Sequence, residues 1–267
     1  MKTVVISDIH NHVENAQYVL DTEKADKYVI LGDVFDDFDD TPEIVKGVAA
    51  WLAKTIERDD VIVLFGNHDM PYRFMNPHVW CPGFSKEKYI AINSEMSFDH
   101  WDKIRFYHYD QGWYISHAGL AEPIFSHPIH GITREWLDYE VDKGITHLLA
   151  GENARFVKMG SRMGLQTVGG LTWQDWNSEF RCVTGINQIV GHTPHSCVRV
   201  KYQLKANRGK EYGVYNQHCV LSMFDQDPLD QYDSLNFCID TGSRHYAVIQ
   251  DGQIQIKQNK KRHESVS

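Results

Sequence analysis

The 267-residue chain contains no C-x-x-C pair, no Gly/Ser-rich or Pro-rich tract, and no run of apolar residues approaching membrane-spanning length. Each absence removes a class of protein. Five cysteines (Cys81, Cys182, Cys197, Cys219 and Cys238) are odd in number and scattered, which excludes a disulfide framework or a thiolate zinc site and leaves ordinary reduced thiols. Without a long apolar run there is no candidate membrane helix. Lys2 leads straight into a strand-like run and Asp8, so no signal peptide is expected and the chain reads as soluble and cytoplasmic. With no linker and no solenoid-type repeat, a single domain over residues 1–257 is expected, followed by a disordered Lys/Arg-containing tail at 258–267. Basic residues are also in deficit, 27 against 36 acidic, for a net charge of −9. That argues against stable nucleic-acid binding, which depends on Lys and Arg neutralising phosphates. A phosphorylated substrate stays open, because bound cations can invert the local field.

What is present is a recurring device: an apolar run that stops at glycine or a small residue and then presents metal-ligand side chains. Val61 to Phe65 is five consecutive apolar residues, read as a central strand buried on both faces, and Gly66-Asn67-His68-Asp69 follows at its carboxyl end. Gly66 is expected to let the chain turn there. In open α/β sheets that edge is where ligands bind. The same device appears at Thr3 to Ser7 before Asp8-Ile9-His10, and at Lys27 to Leu31 before Gly32-Asp33. It recurs at Gly112 to Ser116 before His117-Ala118-Gly119, and at Asn187 to Val190 before Gly191-His192-Thr193-Pro194. Any one of these histidines is more often structural than a ligand. Five strand ends of one design are not a coincidence of composition.

Between the strands, a helix from Glu14 to about Ala25 separates Asp8 from Asp33 by 25 positions, one strand–helix–strand crossover with the two strands parallel. Thr41-Pro42-Glu43 is a helix start, with Thr as N-cap and Pro at the first helical position. Ile44, Val45, Val48, Trp51, Leu52, Thr55 and Ile56 continue it at helical spacing. Residues 71–110 and 122–180 read as excursions over the active edge, the first irregular and rich in aromatics. The last third reads as β-rich: His218 to Phe224, Leu235 to Thr241, and Tyr246 to Ile256 folded into a hairpin at Asp251-Gly252.

Asp8, His10, Asp33, Asn67, His117 and His192 form a donor set of hard oxygens and imidazoles without thiolate, suited to Mn²⁺, Fe or Zn²⁺. Six ligands suit two ions sharing a bridging carboxylate better than one open ion. Two ions about 3.5–4 Å apart clamp both oxygens of an in-line displacement at phosphorus and supply a hydroxide at neutral pH. Phosphate-ester hydrolysis is the natural reaction class.

Asp8-Ile9-His10, Gly32-Asp33, Gly66-Asn67-His68-Asp69, His117-Ala118-Gly119 and Gly191-His192-Thr193, in this order, resemble the signature of calcineurin-like metallophosphoesterases. The resemblance implies an α/β fold, a four-layer αββα sandwich of two mixed β-sheets flanked by helices. It implies two divalent ions, one held by Asp8, His10 and Asp33 and the other by Asp33, Asn67, His117 and His192, with His68 as general acid. Gly32-Asp33-Val34-Phe35-Asp36, Ser116 to Leu120, Trp173 and Ile239-Asp240-Thr241-Gly242 are similar to the phosphoprotein-phosphatase branch, including small phage and bacterial members. On that comparison Asp36 orients His68, and Asn67 and Arg181 contact the substrate phosphate, with Arg73 and Arg162 as replacements. Two positions depart from the branch: Asp37 stands where an Arg usually binds phosphate, and Asp69 stands where Glu is usual. Other branches carry a further metal histidine where this chain has Pro194, and His195 is a candidate substitute.

The implied activity is phosphate monoester hydrolysis of the serine/threonine protein phosphatase type, on a phosphoprotein or a nucleotide. The alternative is hydrolysis of dinucleoside polyphosphates or other nucleotides, with the aromatic excursions stacking a base. A phosphodiesterase or nuclease ranks below both. A non-catalytic metal-binding scaffold would show broken ligand positions, and here all six and His68 are filled.

Overall fold

The computed structural model describes residues 1–37, 40–120, 134–207, 210–214 and 229–261. The expected strand at His218–Phe224, Cys219, the first part of the second excursion and residues 262–267 lie outside the described residues.

The first sheet has the order β11-β10-β1-β2-β3, with β1 (Lys2–Ile6), β2 (Lys27–Ile30), β3 (Val61–Val63), β10 (His245–Gln250) and β11 (Gln253–Gln258). β1, β2 and β3 are parallel, so the crossovers through α1 (Val13–Thr22) and α2 (Pro42–Thr55) bring Asp8 and Asp33 to one edge. Thr41 caps α2 by accepting a hydrogen bond from Ile44 N, as its sequence anticipates. β10 and β11 form the hairpin expected at Asp251-Gly252, both in the left-handed region (φ 53° and 79°) that a type I′ turn demands.

The second sheet has the order β4-β5-β6-β9-β7-β8. Its parallel centre is β5 (Trp113–Ser116), β6 (Asn187–Val190) and β9 (Tyr232–Cys238). β4 (Tyr107–Asp110) and β7 (Arg199–Leu204) flank it antiparallel, and β8 (Glu211–Val214) pairs antiparallel with β7 at the edge. Strand alternation sorts the core into layers: Val5 joins Val29, Leu31, Ile115, Ile189 and Phe237 between the sheets, while Val4 and Ile6 face Val45, Val48 and Leu52 on the helix side. The architecture is therefore the expected α/β arrangement of two mixed sheets flanked by helices.

Three local expectations are corrected. β3 is the outer strand of its sheet, not a central one, and Ile62 is only half-buried. Its apolar continuation is nonetheless covered: Leu64 packs between the sheets, Phe65 packs on the helix side, and the returning chain at Arg105 bonds along the edge (Phe65 N to Arg105 O, 2.7 Å). The excursion at 71–110 is largely regular, containing α3 (Met70–Phe74), α4 (Lys86–Asn93), α5 (Phe98–Lys103) and β4. Ser85 and Ser97 cap α4 and α5, Ser97 in a full capping box with His100. Finally, the ordered chain runs past the expected start of the tail: Gln258 pairs with His245 in β11, and the buried Asn259 side chain donates to Asn15 O (3.1 Å).

Candidate metal centre

The strand ends meet because glycines let backbone lie against backbone and carboxylate. A Cβ on Gly66 would fall 2.1 Å from Asp33 N, and one on Gly191 would fall 2.2 Å from Asp8 Oδ2. Gly66 is thus required by close approach, its φ lying outside the left-handed region. His10, Asp33, Asp36 and His192 all adopt positive φ (44°, 46°, 65° and 67°), a costly conformation outside glycine and one that clusters at functional sites. Asp69 pins the junction, accepting from Val34 N and Gly66 N at 2.9 Å each, and so works as a loop staple with its carboxylate already engaged.

Three groups of ligand-type atoms result among the described residues: Asp8, His10 and Asp33; Asp33, His117 and His192; and Asp36, His68 and Cys81. Asp33 belongs to the first two. Its Oδ1 accepts from His68 N (2.9 Å), while Oδ2 lies 3.7 Å from His10 Nε2 and 3.3 Å from His117 Nε2. Asn67 joins the second group, with Oδ1 3.1 Å from His117 Nε2, and His192 Nδ1 lies 3.2 Å from the same nitrogen. His117 Nδ1 faces Leu31 O (2.8 Å) and donates to it, which turns Nε2 toward the other three side chains. Ligand atoms of four side chains therefore converge on one buried space, an arrangement that a cation satisfies. Asp8 is held by Ser7 Oγ and by His192 N (2.9 Å to Oδ1), and His10 by its Nδ1 against Asp36 O (2.7 Å).

The electrostatics agree. Burial pushes the Asp33 carboxyl up, but His117, His68 and His10 outweigh it and hold it well below the usual range. Burial lowers the His117 imidazole, yet the Asp33 charge outweighs it and lifts the ring to about 9, so a positive charge is favoured at this spot. Burial together with neighbouring His117 holds His192 well below the ordinary imidazole value, so it is neutral and a ligand in form. His195 does not stand in for Pro194: it is exposed, its ring turned to Cys197 N (3.2 Å), and it joins none of these groups.

Beside this cluster sits His68, with Nδ1 3.2 Å from Asp36 Oδ2 and its side chain 22% exposed. Asp36 is itself clamped: Tyr72 Oη donates to Oδ1 at 2.5 Å and Lys88 Nζ at 3.0 Å. Lys88 is buried and also pairs with Asp40 at 2.5 Å. Nothing in the sequence singled out Lys88 or Tyr72, because both come from the first excursion and reach Asp36 only through the fold. Asp37, in the branch's arginine position, lies 3.1 Å from His12 Nε2.

Of the three candidate phosphate arginines, only Arg162 touches the cluster, donating to His192 O at 2.6 Å from an exposed position. Arg181 is bound to its own loop at Phe180 O (2.8 Å) and Ser178 O (3.2 Å). Arg73 pairs with Asp102 (2.8 Å) and lies over Phe98.

Two mixed sheets with histidines and carboxylates gathered at the ends of parallel strands define a metal-binding α/β sandwich. The chain belongs to the calcineurin-like phosphoesterase family, whose profile matches residues 1–199. Enzymes of the family use divalent metal ions, and the Asp/His groups here are able to bind them. Among solved structures the chain is similar to a cold-active protein tyrosine phosphatase at 15% identity, over 97% of this chain and 79% of that one, with a TM-score of 0.50. It is also similar to a metallophosphoesterase from Sphaerobacter thermophilus (14% identity, 97% and 87% covered, TM-score 0.43) and to a putative diadenosine tetraphosphatase (17%, 96% and 93%, 0.43). No curated protein compared with it matches. These likenesses concern the fold. Among the described residues no helix is long and apolar enough to cross a membrane.

Proposed function

We propose that the protein hydrolyses phosphate monoesters with two divalent ions, using catalytic machinery of the serine/threonine protein phosphatase type. The observation that carries this reading is the shared Asp33 carboxylate between two ligand groups, with the Asp36–His68 pair beside it. In this reading Asp8, His10 and Asp33 hold one ion and Asp33, Asn67, His117 and His192 the other, Mn²⁺ suiting the donors best. Bound divalent ions neutralise phosphate charge and make water nucleophilic near pH 7.

The chain's own groups do the rest. Water oxygen adds to phosphorus and gives up one proton to solvent, the bond to the leaving oxygen breaks, and His68 Nε2 gives that oxygen a proton, later regained from solvent. Nε2 is the donating atom because Nδ1 is held by Asp36. Asn67 and Arg162 stabilise the equatorial oxygens, Arg162 replacing the Arg181 contact implied by resemblance, since Arg181 is spent on its own loop. A phosphorylated protein or nucleotide is the partner this site calls for.

The test is one panel run with Mn²⁺ and with chelator: phenyl phosphate, its diester, phosphoserine, phosphothreonine and phosphotyrosine peptides, and a dinucleoside tetraphosphate. Chelator-sensitive release of phosphate from monoesters is expected. Hydrolysis of the diester or the tetraphosphate in preference to every monoester would overturn the reading.

A further inference from the structure

The third group of ligand-type atoms, Asp36, His68 and Cys81, lies on the proton-donor pair and shares no side chain with the two groups that meet at Asp33. His68 Nδ1 lies 3.2 Å from Asp36 Oδ2 and 3.5 Å from Cys81 Sγ, and the three ligand atoms all lie within 4.8 Å of one another. A tetrahedral Zn²⁺ with bonds of ~2.0–2.3 Å holds a nitrogen ligand roughly 3.4 Å from a carboxylate oxygen and roughly 3.6 Å from a sulfur. The observed spacings are close to those two edges of a zinc tetrahedron. The loop that carries Cys81 is also fixed in place. Tyr72 and Lys88 donate to Asp36 Oδ1 and leave Oδ2 to face His68. Lys88 also donates to Gly83 O (2.8 Å), and Gly83, at φ 99°, approaches Asp36 so closely that a Cβ there would lie 2.9 Å from its Cγ.

Charge and donor type both favour a soft cation here. Lys88 is shared between Asp36 and Asp40, two carboxylates against one ammonium, which leaves negative charge for an ion to meet. Burial, and then the charges of Asp36, Asp33 and Asp69, push the Cys81 thiol up, so it is inert until a bound cation outweighs that field and deprotonates it. Sulfur distinguishes this group from the all-oxygen-and-imidazole centre around Asp33: Zn²⁺ suits the first and Mn²⁺ the second. We propose that Asp36, His68 and Cys81 form a separate, inhibitory binding site for one Zn²⁺. The ion bonds to Oδ2, Nδ1 and Sγ, and the protons it displaces from sulfur and from Nδ1 go to solvent. His68 is then no longer an imidazolium, and its Nε2–H is too weak an acid to serve the leaving oxygen. Binding stands on the geometry, while the inhibition rests on the phosphomonoesterase reading, in which His68 is the donor.

The experiment uses Mn²⁺-loaded wild type, Cys81→Ser and Cys81→Ala, with Cd²⁺ as the spectroscopic probe and Zn²⁺ as the inhibitor. In wild type, Cd²⁺ is expected to develop an ultraviolet thiolate-to-metal absorption that saturates at one ion per chain, while bound Mn²⁺, measured by elemental analysis, stays constant. Both variants are expected to lack that absorption. Zn²⁺ is expected to slow wild-type hydrolysis of phenyl phosphate more than that of 4-nitrophenyl phosphate, whose leaving group needs less protonation. The half-inhibiting Zn²⁺ concentration is expected to rise at least about tenfold in either variant, each compared with its own rate without Zn²⁺. No absorption in wild type, absorption that survives in either variant, equal inhibition of all three proteins, or Mn²⁺ released in step with inhibition would overturn the site. If the absorption behaves as expected but no monoester is hydrolysed with Mn²⁺ alone, the ion site stands and the phosphomonoesterase reading falls, taking the inhibition with it.

Discussion

Lys88 Nζ donates to Asp36 Oδ1 at 3.0 Å across 52 positions of sequence, and that one contact joins the first excursion to the proposed proton donor. With Tyr72 it fixes which way the carboxylate faces, leaving Oδ2 for His68. Lys88→Met is predicted to cost about 3 kcal/mol of stability, because two buried carboxylates lose their cation. It is also predicted to slow hydrolysis of phenyl phosphate about tenfold more than that of 4-nitrophenyl phosphate, whose leaving group needs less protonation. Equal losses on both esters would reduce Lys88 to a purely structural role.

His68→Ala removes the proposed donor itself while leaving Asp33, Asn67, His117 and His192 in place. Turnover of phenyl phosphate should fall by about 10²–10⁴-fold, while bound Mn²⁺ measured by elemental analysis stays at the wild-type level. A variant retaining full turnover refutes the assigned role.

Arg162 and Arg181 make opposite predictions. Arg162 sits on the carbonyl of His192, whereas Arg181 is occupied by its own loop. Arg162→Ala should raise KM for a monoester about tenfold, the worth of one charge-assisted contact, and Arg181→Ala should leave KM near wild type. Steady-state kinetics on both variants decide between the arginine placed by geometry and the one placed by resemblance.

Glu23 ties the end of α1 to three strands of the first sheet: Lys2, Tyr246 (2.8 Å) and Lys257 (2.9 Å). Burial raises its pKa, but hydrogen bonds from Lys2 and Lys257 outweigh that and bring it from 4.5 down to about 2. An acid depressed in the folded state stabilises fully above its unfolded pKa and loses that contribution as pH falls through the folded one. Glu23→Gln should therefore cost about 1 kcal/mol at neutral pH, after allowance for solvent screening. The gap from wild type should close between pH 4.5 and about 2. Denaturant melts of both proteins across that window measure it, and a pH-independent gap would exclude the charge as the cause.

Much of the centre was legible because each ligand follows a strand, and parallel strands bring their carboxyl ends to one edge regardless of what lies between. Asp8, His10, Asp33, Asn67, His117 and His192 needed only strand ends and residue types to be read together. What was not legible depends on side chains crossing the fold. Lys88 sits in KEKYIAIN, a helix whose apolar stripe is broken because one of its two buried positions, the one beside Ile92, is a charge, so neither α4 nor its contact with Asp36 shows in the periodicity. The edge position of β3 was hidden because Leu64 and Phe65 are buried by a later segment, Arg105, and not by neighbouring strands on both sides. Arg162 resembles any exposed loop arginine until the fold lays it on His192 O.

The central claim is that two ions sharing Asp33 drive monoester hydrolysis, and its most direct test is turnover of phenyl phosphate by metal-free protein titrated with Mn²⁺. Activity is predicted to stay near background through the first equivalent per chain, to rise with the second, and to vanish with chelator. Full activity after one equivalent, or none after two, would contradict the account.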